Sequence, residues 1–409
     1  MSGPIAVAEA LRRILAGIPD PVSAESVAIA EAAGRTLAED VRATRTQPPF
    51  PASAMDGYAV RAEDIATCPA ALRVIGTSAA GHGFTETVGP GEAVRIFTGA
   101  PVPEGADAIL IQENADAADG QVVAREPVAA GRFVRPSGLD FLAGDVLLRA
   151  GDTLDARRTA LAAAAGHARL ELRRRPRVAI LATGDELVAP GAPARWDQIV
   201  ASNALAVGAL AREAGAETVD LGIAGDTLDA LEAALAQAVA ARADILVTLG
   251  GASVGDHDLV QSALTRQGLE LGFWRVALRP GKPLMHGRLG PTTVIGLPGN
   301  PVSSIVCGLL FVVPAIRALL GDPRAGEDRS EPATLGHAMP ANDGRQDYMR
   351  ARLDSAPDRL PVVHPENRQD SSMLSVLGQA EALLIRPPHA DPARAGDLCR
   401  ILRLDRRIL

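Results

Sequence analysis

The feature that most constrains this chain is an alternation that begins at Arg177. Apolar runs at Arg177 to Leu181, Glu217 to Leu221, Asp244 to Leu249 and Thr293 to Gly296 each give way to helical periodicity. The helical stretches cover Asn203 to Ala214, Leu228 to Ala241, Leu259 to Gln267 and Val302 to Leu319. Strands alternating with helices of this length imply right-handed crossovers and a parallel sheet. In such a sheet ligands bind beyond the carboxyl ends of the strands. The loops after Thr183, Leu249 and Leu297 are therefore where chemistry is expected.

The rest of the chain has a different texture. Val7, Leu11, Ile14, Leu15 and Ile18 recur at helical spacing and predict an amphipathic first helix, which Pro19 and Pro21 stop. From Val41 to about Asp152, short apolar runs (Leu72 to Ile75, Ala93 to Phe97, Ala108 to Ile111, Gln121 to Ala124) stand between Gly and Pro clusters. That pattern predicts a β-rich region with long loops. Asp155 to His167 reads as an Ala-rich helix, and Arg173 to Arg177 and Gly321 to Arg329 as linkers. Strand-like pieces close the chain at Tyr348 to Leu353, Leu360 to Val363, Ala382 to Ile385 and Leu398 to Leu402. The expected fold class is α/β plus β-rich domains. A three-layer α/β/α unit with a parallel sheet (177–325) is flanked by an inserted β-rich domain (45–140) and a small C-terminal β-domain (326–409). A helical and linker unit is assembled from 1–44 and 141–176. At 409 residues, two to four domains are the natural number.

Composition excludes several classes of function. A net charge of −8 argues against a nucleic-acid surface, which is usually basic. Cys68, Cys307 and Cys399 are too far apart for a C-x-x-C metal site or a disulfide framework, and are expected to be small buried hydrophobes. The first residues mix acids and arginines with apolar residues, unlike a secretory signal, and no run of 18 apolar residues predicts a membrane span. A reduced, cytoplasmic setting is the expectation.

Thr248 to Asp258 reads T-L-G-G-A-S-V-G-D-H-D. Amides of Gly250, Gly251 and Gly255, with the Ser253 hydroxyl, suit a phosphate. Asp256 and Asp258 beside an anion site suggest a bridging divalent cation. His257 reads as a variable surface residue. Asp185 and Glu186 follow a strand in T-G-D-E-L, either as solvated turn acids or as ligand carboxylates. Asp226 lies beyond another strand and serves equally well as a cap for the helix at Leu228. Leu297 to Pro301, L-P-G-N-P, is a rigid turn or a ligand loop in which Asn300 can donate and accept. Arg275, Arg279 and Lys282 suit an oxyanion or a pyrophosphate, with a solvated edge strand as the alternative. In the β-rich region, P-P-F-P-A-S-A-M-D-G-Y (Pro48 to Tyr58), T-G-A-P-V-P (Thr98 to Pro103) and R-P-S-G-L-D (Arg135 to Asp140) are ordered loops that name no function unaided.

Taken in order, seven short segments resemble the molybdopterin molybdenumtransferase family, whose animal counterpart is the gephyrin E domain. They are S-A-M-D-G-Y-A from Ser53, T-G-A from Thr98, R-P-S-G-L-D from Arg135, T-G-D-E-L from Thr183, G-G-A-S-V-G-D-H-D from Gly250, R-P-G-K-P from Arg279 and L-P-G-N-P-V from Leu297. The likeness runs essentially from end to end. It implies insertion of molybdenum from molybdate into adenylylated molybdopterin, with release of AMP and Mg2+ or a similar cation as cofactor. It implies functional positions at Asp56, Thr98, Asp140, Glu186, Asp226, Asp258, Pro298, Pro301, Arg275, Arg279, Lys282, Arg350 and Ser371. Asp56, Thr98, Asp140, Glu186 and Asp258 would be catalytic, and Glu186, Asp256 and Asp258 would hold the metal. An elongated homodimer is implied, with each site combining the α/β unit of one subunit and β-domains of the other. Exchange with a molybdopterin adenylyltransferase and with molybdoenzyme maturation proteins is a further expectation; nucleic acid and membrane are not expected partners. Arg275 and Arg279 stand where many members have Lys, which keeps charge but alters hydrogen-bond geometry. Pro51-Ala52 replaces the Asp-Asn often found before S-A-M-D-G.

Two other enzymes share the α/β unit. A molybdopterin adenylyltransferase lacks the Val41 to Asp152 region and the last β-domain, and a nicotinamide-nucleotide amidase-like protein lacks the S-A-M-D-G loop. A gephyrin-like scaffold is the non-enzymatic alternative.

Overall fold

The computed structural model describes residues 3–404 apart from Pro19, residues 251–258 and Ala356. The predicted alternation builds a six-stranded sheet. Its order is Glu217–Ala224, Arg177–Thr183, Ile245–Leu249, Thr292–Leu297, Pro283–Leu289, Glu270–Arg275. The first four strands are parallel. The inner three of these are nearly all buried because helices cover both faces: the strand Ile245–Leu249 is buried at every position, whereas the edge strand Glu217–Ala224 is largely exposed. The last two strands pair antiparallel and extend the sheet beyond the four expected strands. Periodicity misses them because the hairpin connection Thr292 to Leu289 is short and no helix intervenes. Arg275 ends the edge strand Glu270–Arg275, as the edge-strand alternative for the Arg275 to Lys282 stretch anticipates.

On one face of this sheet pack the first helix, Val7–Ala16, the helix Asn203–Glu213 and the apolar helix from Pro301 to Leu319. The first helix ends two residues earlier than its apolar pattern suggests, at a Gly17 cap. The Pro301 to Leu319 helix is the only described one long and apolar enough to cross a membrane, and 67% of its most apolar window is buried against the sheet and neighbouring helices. Its ladder widens to a π-type turn at Gly308–Val312. Two residues past the end of this turn Pro314 lacks an N–H, and the widened turn sits where the regular pattern would otherwise meet that ring. Leu231, Leu235, Val260 and Leu264 from two further helices cover the opposite face.

The β-rich region forms a second six-stranded sheet, ordered Ala108–Ile111, Gly57–Val60, Glu92–Ile96, Ala70–Ser78, Gln121–Ala124, Ala115–Ala118. Gly57 is required here because a side chain would run into the Leu110 carbonyl of the adjacent strand. The expected helix near Asp155 starts at Ala156, with the Asp155 carboxylate accepting from the Arg158 amide at 2.8 Å. Arg169–Arg173, which sequence periodicity does not single out, is a strand pairing with Ala24–Ala28, and it takes Arg173 from the start of the expected linker.

The last segment closes on itself. Strands Gln346–Asp354, Val362–Pro365, Glu331–Leu335, Leu398–Arg403 and Ala382–Arg386 follow in order, and the last pairs back with the first. Closure removes exposed edges, so a small unit of short strands is viable. Glu331–Leu335, which sequence periodicity does not single out, is one of its staves. Cys307 is buried as expected, whereas Cys68 and Cys399 are only half-buried. Burial also raises the pKa of the Cys307 thiol above its ordinary value.

Phe311 is fully buried on the bulged helix in the largest apolar cluster, whereas Val239 is 60% exposed. Phe311→Ala should cost about 3–5 kcal/mol by transfer loss plus cavity, and Val239→Ala within about 0.5 kcal/mol. Denaturant midpoints of the two variants check this contrast.

Candidate functional site

The carboxyl ends of the parallel strands do converge. A Cβ on Gly250 would lie 2.8 Å from the Thr183 carbonyl oxygen, and one on Gly299 would lie 3.6 Å from the Gly250 Cα. Gly250 also has φ of +99°, so a side chain is excluded twice over. Its N–H donates to the Leu297 carbonyl at 3.2 Å, and the Thr183 hydroxyl donates to the Leu249 carbonyl at 3.4 Å. The three loops named from sequence therefore meet at one edge. Gly251, Ser253, Gly255, Asp256, His257 and Asp258 lie outside the described residues.

Acid lines this edge. The Asp185 carboxylate accepts from the Asp226 amide at 3.1 Å, which ties the T-G-D-E-L loop to the next strand end. Glu186 is exposed, with its carboxylate folded over Gly184, where any side chain would collide with it. Asp226 does not cap the following helix: Thr227 does, its hydroxyl accepting from the Ala230 amide at 3.3 Å. That frees the Asp226 carboxylate, which is exposed. Among the described residues, no three Asp, Glu, His or Cys side chains gather as a metal cluster. Mg2+ commonly takes one or two protein carboxylates and completes its shell with substrate phosphates and water. The exposed Glu186 carboxylate fits that kind of binding.

The L-P-G-N-P loop is held from two sides. Pro301 opens the apolar helix, where its missing N–H costs nothing, and Asn300 is the cap residue. The Asn203 side chain donates to the Gly299 carbonyl at 2.6 Å, and the Ser304 hydroxyl donates to the Pro298 carbonyl. From the C-terminal barrel, the Ser371 hydroxyl accepts from the Asn300 side-chain amide at 2.8 Å, and the Ser371 carbonyl accepts from the Val302 amide at 3.1 Å. Arg350 is only 1% exposed. Its guanidinium donates to the carbonyls of Arg368 and Asp370, so it fixes the segment that presents Ser371. Burial lowers its pKa from the usual arginine value.

The basic cluster sits at the same seam. Leu278–Arg279 pairs with the barrel strand at Gln346 and Asp347. Arg279 donates to Asn342 at 3.1 Å and to Asp343 at 3.2 Å, and also to the buried Asp347. Burial pushes the Asp347 pKa up, and the bond to Arg279 opposes that rise. Lys282 is exposed and Arg275 half-buried. Of the three cations, Arg279 is thus committed to barrel acids, while Lys282 faces solvent.

The nominated residues of the β-rich region form their own cluster. Asp56 accepts from both the Thr98 amide and the Thr98 hydroxyl, each at 2.8 Å. Those bonds hold its pKa below the ordinary carboxylate value, the amide being the largest cause. The T-G-A loop is knitted to the S-A-M-D-G loop by Gly99 donating to Ser53 at 2.8 Å and Ser53 donating to Ala100 at 2.9 Å. The R-P-S-G-L-D loop joins through Gly138 donating to Pro48 at 2.9 Å and Asp140 donating to Gln47 at 3.0 Å. Arg95 lies over the Tyr58 and Phe97 rings at 5.1 and 4.9 Å. Phe50, Met55, Phe97, Leu139 and Leu142 are exposed around these loops. Among the described residues, no hydrogen bond or ion pair joins them to the strand-end loops.

Sequence reasoning missed Asn203, Ser304 and Arg95. The only signal for Asn203 and Ser304 was position: Asn203 opens a helix and Ser304 lies in the first turn of another, each beside a strand-end loop. A cavity of about 550 Å3 between the first helix, the bulged helix and the barrel, lined by Leu11, Leu310, Tyr348 and Ile385 among others, includes none of the nominated residues.

Comparison with known proteins covers nearly all of the chain. Residues 5–166 match the MoeA N-terminal region (domain I and II), residues 179–318 a probable molybdopterin binding domain, and residues 332–404 the MoeA C-terminal region (domain IV). A molybdopterin molybdenumtransferase of Nostoc is 38% identical over 89% of this chain and 85% of its own. One from Haemophilus influenzae is 36% identical over 96% of this chain and 97% of its own. A crystal structure of the molybdopterin biosynthesis moeA protein from Pyrococcus horikoshii OT3 superposes with a TM-score of 0.84 at 28% identity, covering 98% of this chain and 99% of that one.

Because Thr98 supplies two of the bonds to Asp56, Thr98→Val should raise the Asp56 pKa toward the model-peptide value of about 3.9. The sign follows from the depressed folded-state pKa. The stability from this carboxylate is present above the unfolded value and lost as pH falls through the folded one. Carbon-detected NMR titration of Asp56 reads the shift; an unmoved value would exclude the hydroxyl as a donor that matters.

Proposed function

This chain belongs to the MoeA family of molybdopterin molybdenumtransferases, and from that premise we propose that it inserts molybdenum from molybdate into adenylylated molybdopterin with release of AMP. The observation that carries this reading is the convergence of Gly250, Glu186 and the Pro298 to Pro301 loop at the carboxyl edge of one parallel sheet. It is the position at which open α/β sheets bind nucleotide-like ligands. The inserted β-rich region and the closing barrel favour this enzyme over the molybdopterin adenylyltransferase, which has neither.

Both substrates are anions and the chain carries a net charge of −8. Local cations must therefore oppose a repulsive global field. Lys282, with its ammonium in solvent, is suited to meet the incoming oxyanion, and Arg275 stands in the preceding strand. Arg279 holds the barrel acids at the seam and so fixes where that charge is presented. Amides and side chains of the Gly250 to Gly255 and Pro298 to Pro301 loops would hold the pyrophosphate and oxyanion against one another, gaining rate by proximity. A divalent cation held by Glu186, with Asp256 and Asp258 completing the acidic set, would supply Lewis-acid polarisation of the phosphoanhydride. Asp56, whose charged form the Thr98 bonds favour, would accept a hydrogen bond or a proton during adenylate release, with Asp140 on a neighbouring loop.

We further read the assembly as a homodimer. The Asp56 loops have no bonded link to the strand-end loops within the described residues, and they carry an exposed apolar rim. A rim of that kind suits another protein surface. A protein of this kind would work in the cytoplasm and would exchange its pterin with the adenylyltransferase and with molybdoenzyme maturation proteins.

With purified adenylylated molybdopterin, molybdate and Mg2+, wild type should release AMP and form active cofactor, and should not consume ATP with bare molybdopterin. Asp56→Ala and Glu186→Ala should each lose at least about a hundredfold in kcat while staying folded. In an isologous dimer with shared sites, mixing and reannealing the two variants should regain about one quarter of wild-type activity. Wild-type rates in either variant would sink the site, and no regain on mixing would sink the shared dimer.

A further inference from the structure

The structure assigns Asn203 a positioning role in this reaction: together with Ser304 it clamps the inner carbonyls of the L-P-G-N-P loop so that the loop's amides face the substrate. The assignment rests on the functional reading above.

Asn203 opens the helix Asn203–Glu213, which follows the T-G-D-E-L strand end. Its side-chain amide donates to the Gly299 carbonyl at 2.6 Å and reaches the Ser304 hydroxyl at 3.4 Å. Ser304 in turn donates to the Pro298 carbonyl from a fully buried position. Two consecutive peptide carbonyls of one loop are therefore drawn inward by side chains from two different helices. In a trans peptide the N–H of the next residue points opposite to the carbonyl. Capturing the Pro298 and Gly299 oxygens thus turns the Gly299 and Asn300 N–H groups outward. Neither amide donates to any other backbone group among the described residues.

The clamp has an electrostatic consequence. Left free, the two carbonyl oxygens would be the loop's most negative atoms, and any rotation of these peptides would turn them toward the anionic substrates. Gly299 makes such rotation easy, since glycine adds little resistance of its own. The prolines on either side fix φ only at 298 and 301. Asn203 and Ser304 supply the restraint that the two peptides between them lack. From the barrel side, the Asn300 side-chain amide donates to Ser371 at 2.8 Å. Asn203 touches no substrate in this scheme; it acts through the loop.

Asn203→Asp is the sharpest test. It preserves size, removes the N–H donor and places a carboxylate against the Gly299 carbonyl. Asn203→Ala and Ser304→Ala remove one donor each. Losing one of these hydrogen bonds should raise KM for molybdate or for the adenylylated pterin by about tenfold. The change in kcat should stay under about threefold, with Tm held within a few degrees. Ser304→Ala should shift KM in the same direction, which keeps the idea testable if Asn203→Asp fails to fold. Unchanged KM in the folded variants overturns the clamp. So does a loss of kcat and Tm together at unchanged KM, which a merely architectural asparagine would give. If wild type itself fails to insert molybdenum, the functional reading falls; if wild type is active and the variants match it, only the clamp falls.

Discussion

Everything at the candidate site depends on how closely backbone can approach backbone at the carboxyl edge of the central sheet. Gly250 sits against the Thr183 carbonyl, and Gly299 stands over Gly250. Only residues without side chains allow three strand ends to meet at that spacing. Add one methyl group at Gly250 and the T-G-D-E-L and L-P-G-N-P loops are forced apart. The acids, amides and hydroxyls they carry would then no longer face a common space.

Around that contact the chain arranges charge economically. Glu186 and Asp226 stay exposed at the rim, while Asp185 is spent on an amide of the next strand end. Arg279 is tied to barrel acids and so serves the seam between sheet and barrel. Arg350 is buried against carbonyls and braces Ser371, which holds Asn300. Residues that look alike in sequence, a run of basic side chains, therefore divide into those exposed to solvent and those committed to bracing other groups.

Much of the fold was legible in the sequence because apolar periodicity reports burial directly. The helix predicted over Leu228 to Ala241 ends within one residue of the observed Leu228–Ala240, and the strand at Gln121 to Ala124 is observed as predicted. The edge strand Glu270–Arg275 escaped because it is buried on fewer sides and shows weaker patterning; Pro283–Leu289, its inner neighbour, escaped because no helix separates it from the next strand. Asp226 was balanced between cap and ligand on sequence grounds. The neighbouring hydroxyl of Thr227 settled the cap, a choice between adjacent residues that spacing cannot make.

By itself the sequence determined the architecture and the order of its loops, because hydrophobic period, glycine and proline act locally along the chain. Through the family resemblance it also marked Asp56, Thr98 and Asp140 without revealing that Asp56 and Thr98 bond. Tertiary structure alone decided which polar groups meet: Asp56 with Thr98, Asn203 with Gly299, Asn300 with Ser371. Those partners lie 42, 96 and 71 residues apart. Hydrogen bonds act over about 3 Å, so such pairings exist only once the hydrophobic core has fixed where each loop ends.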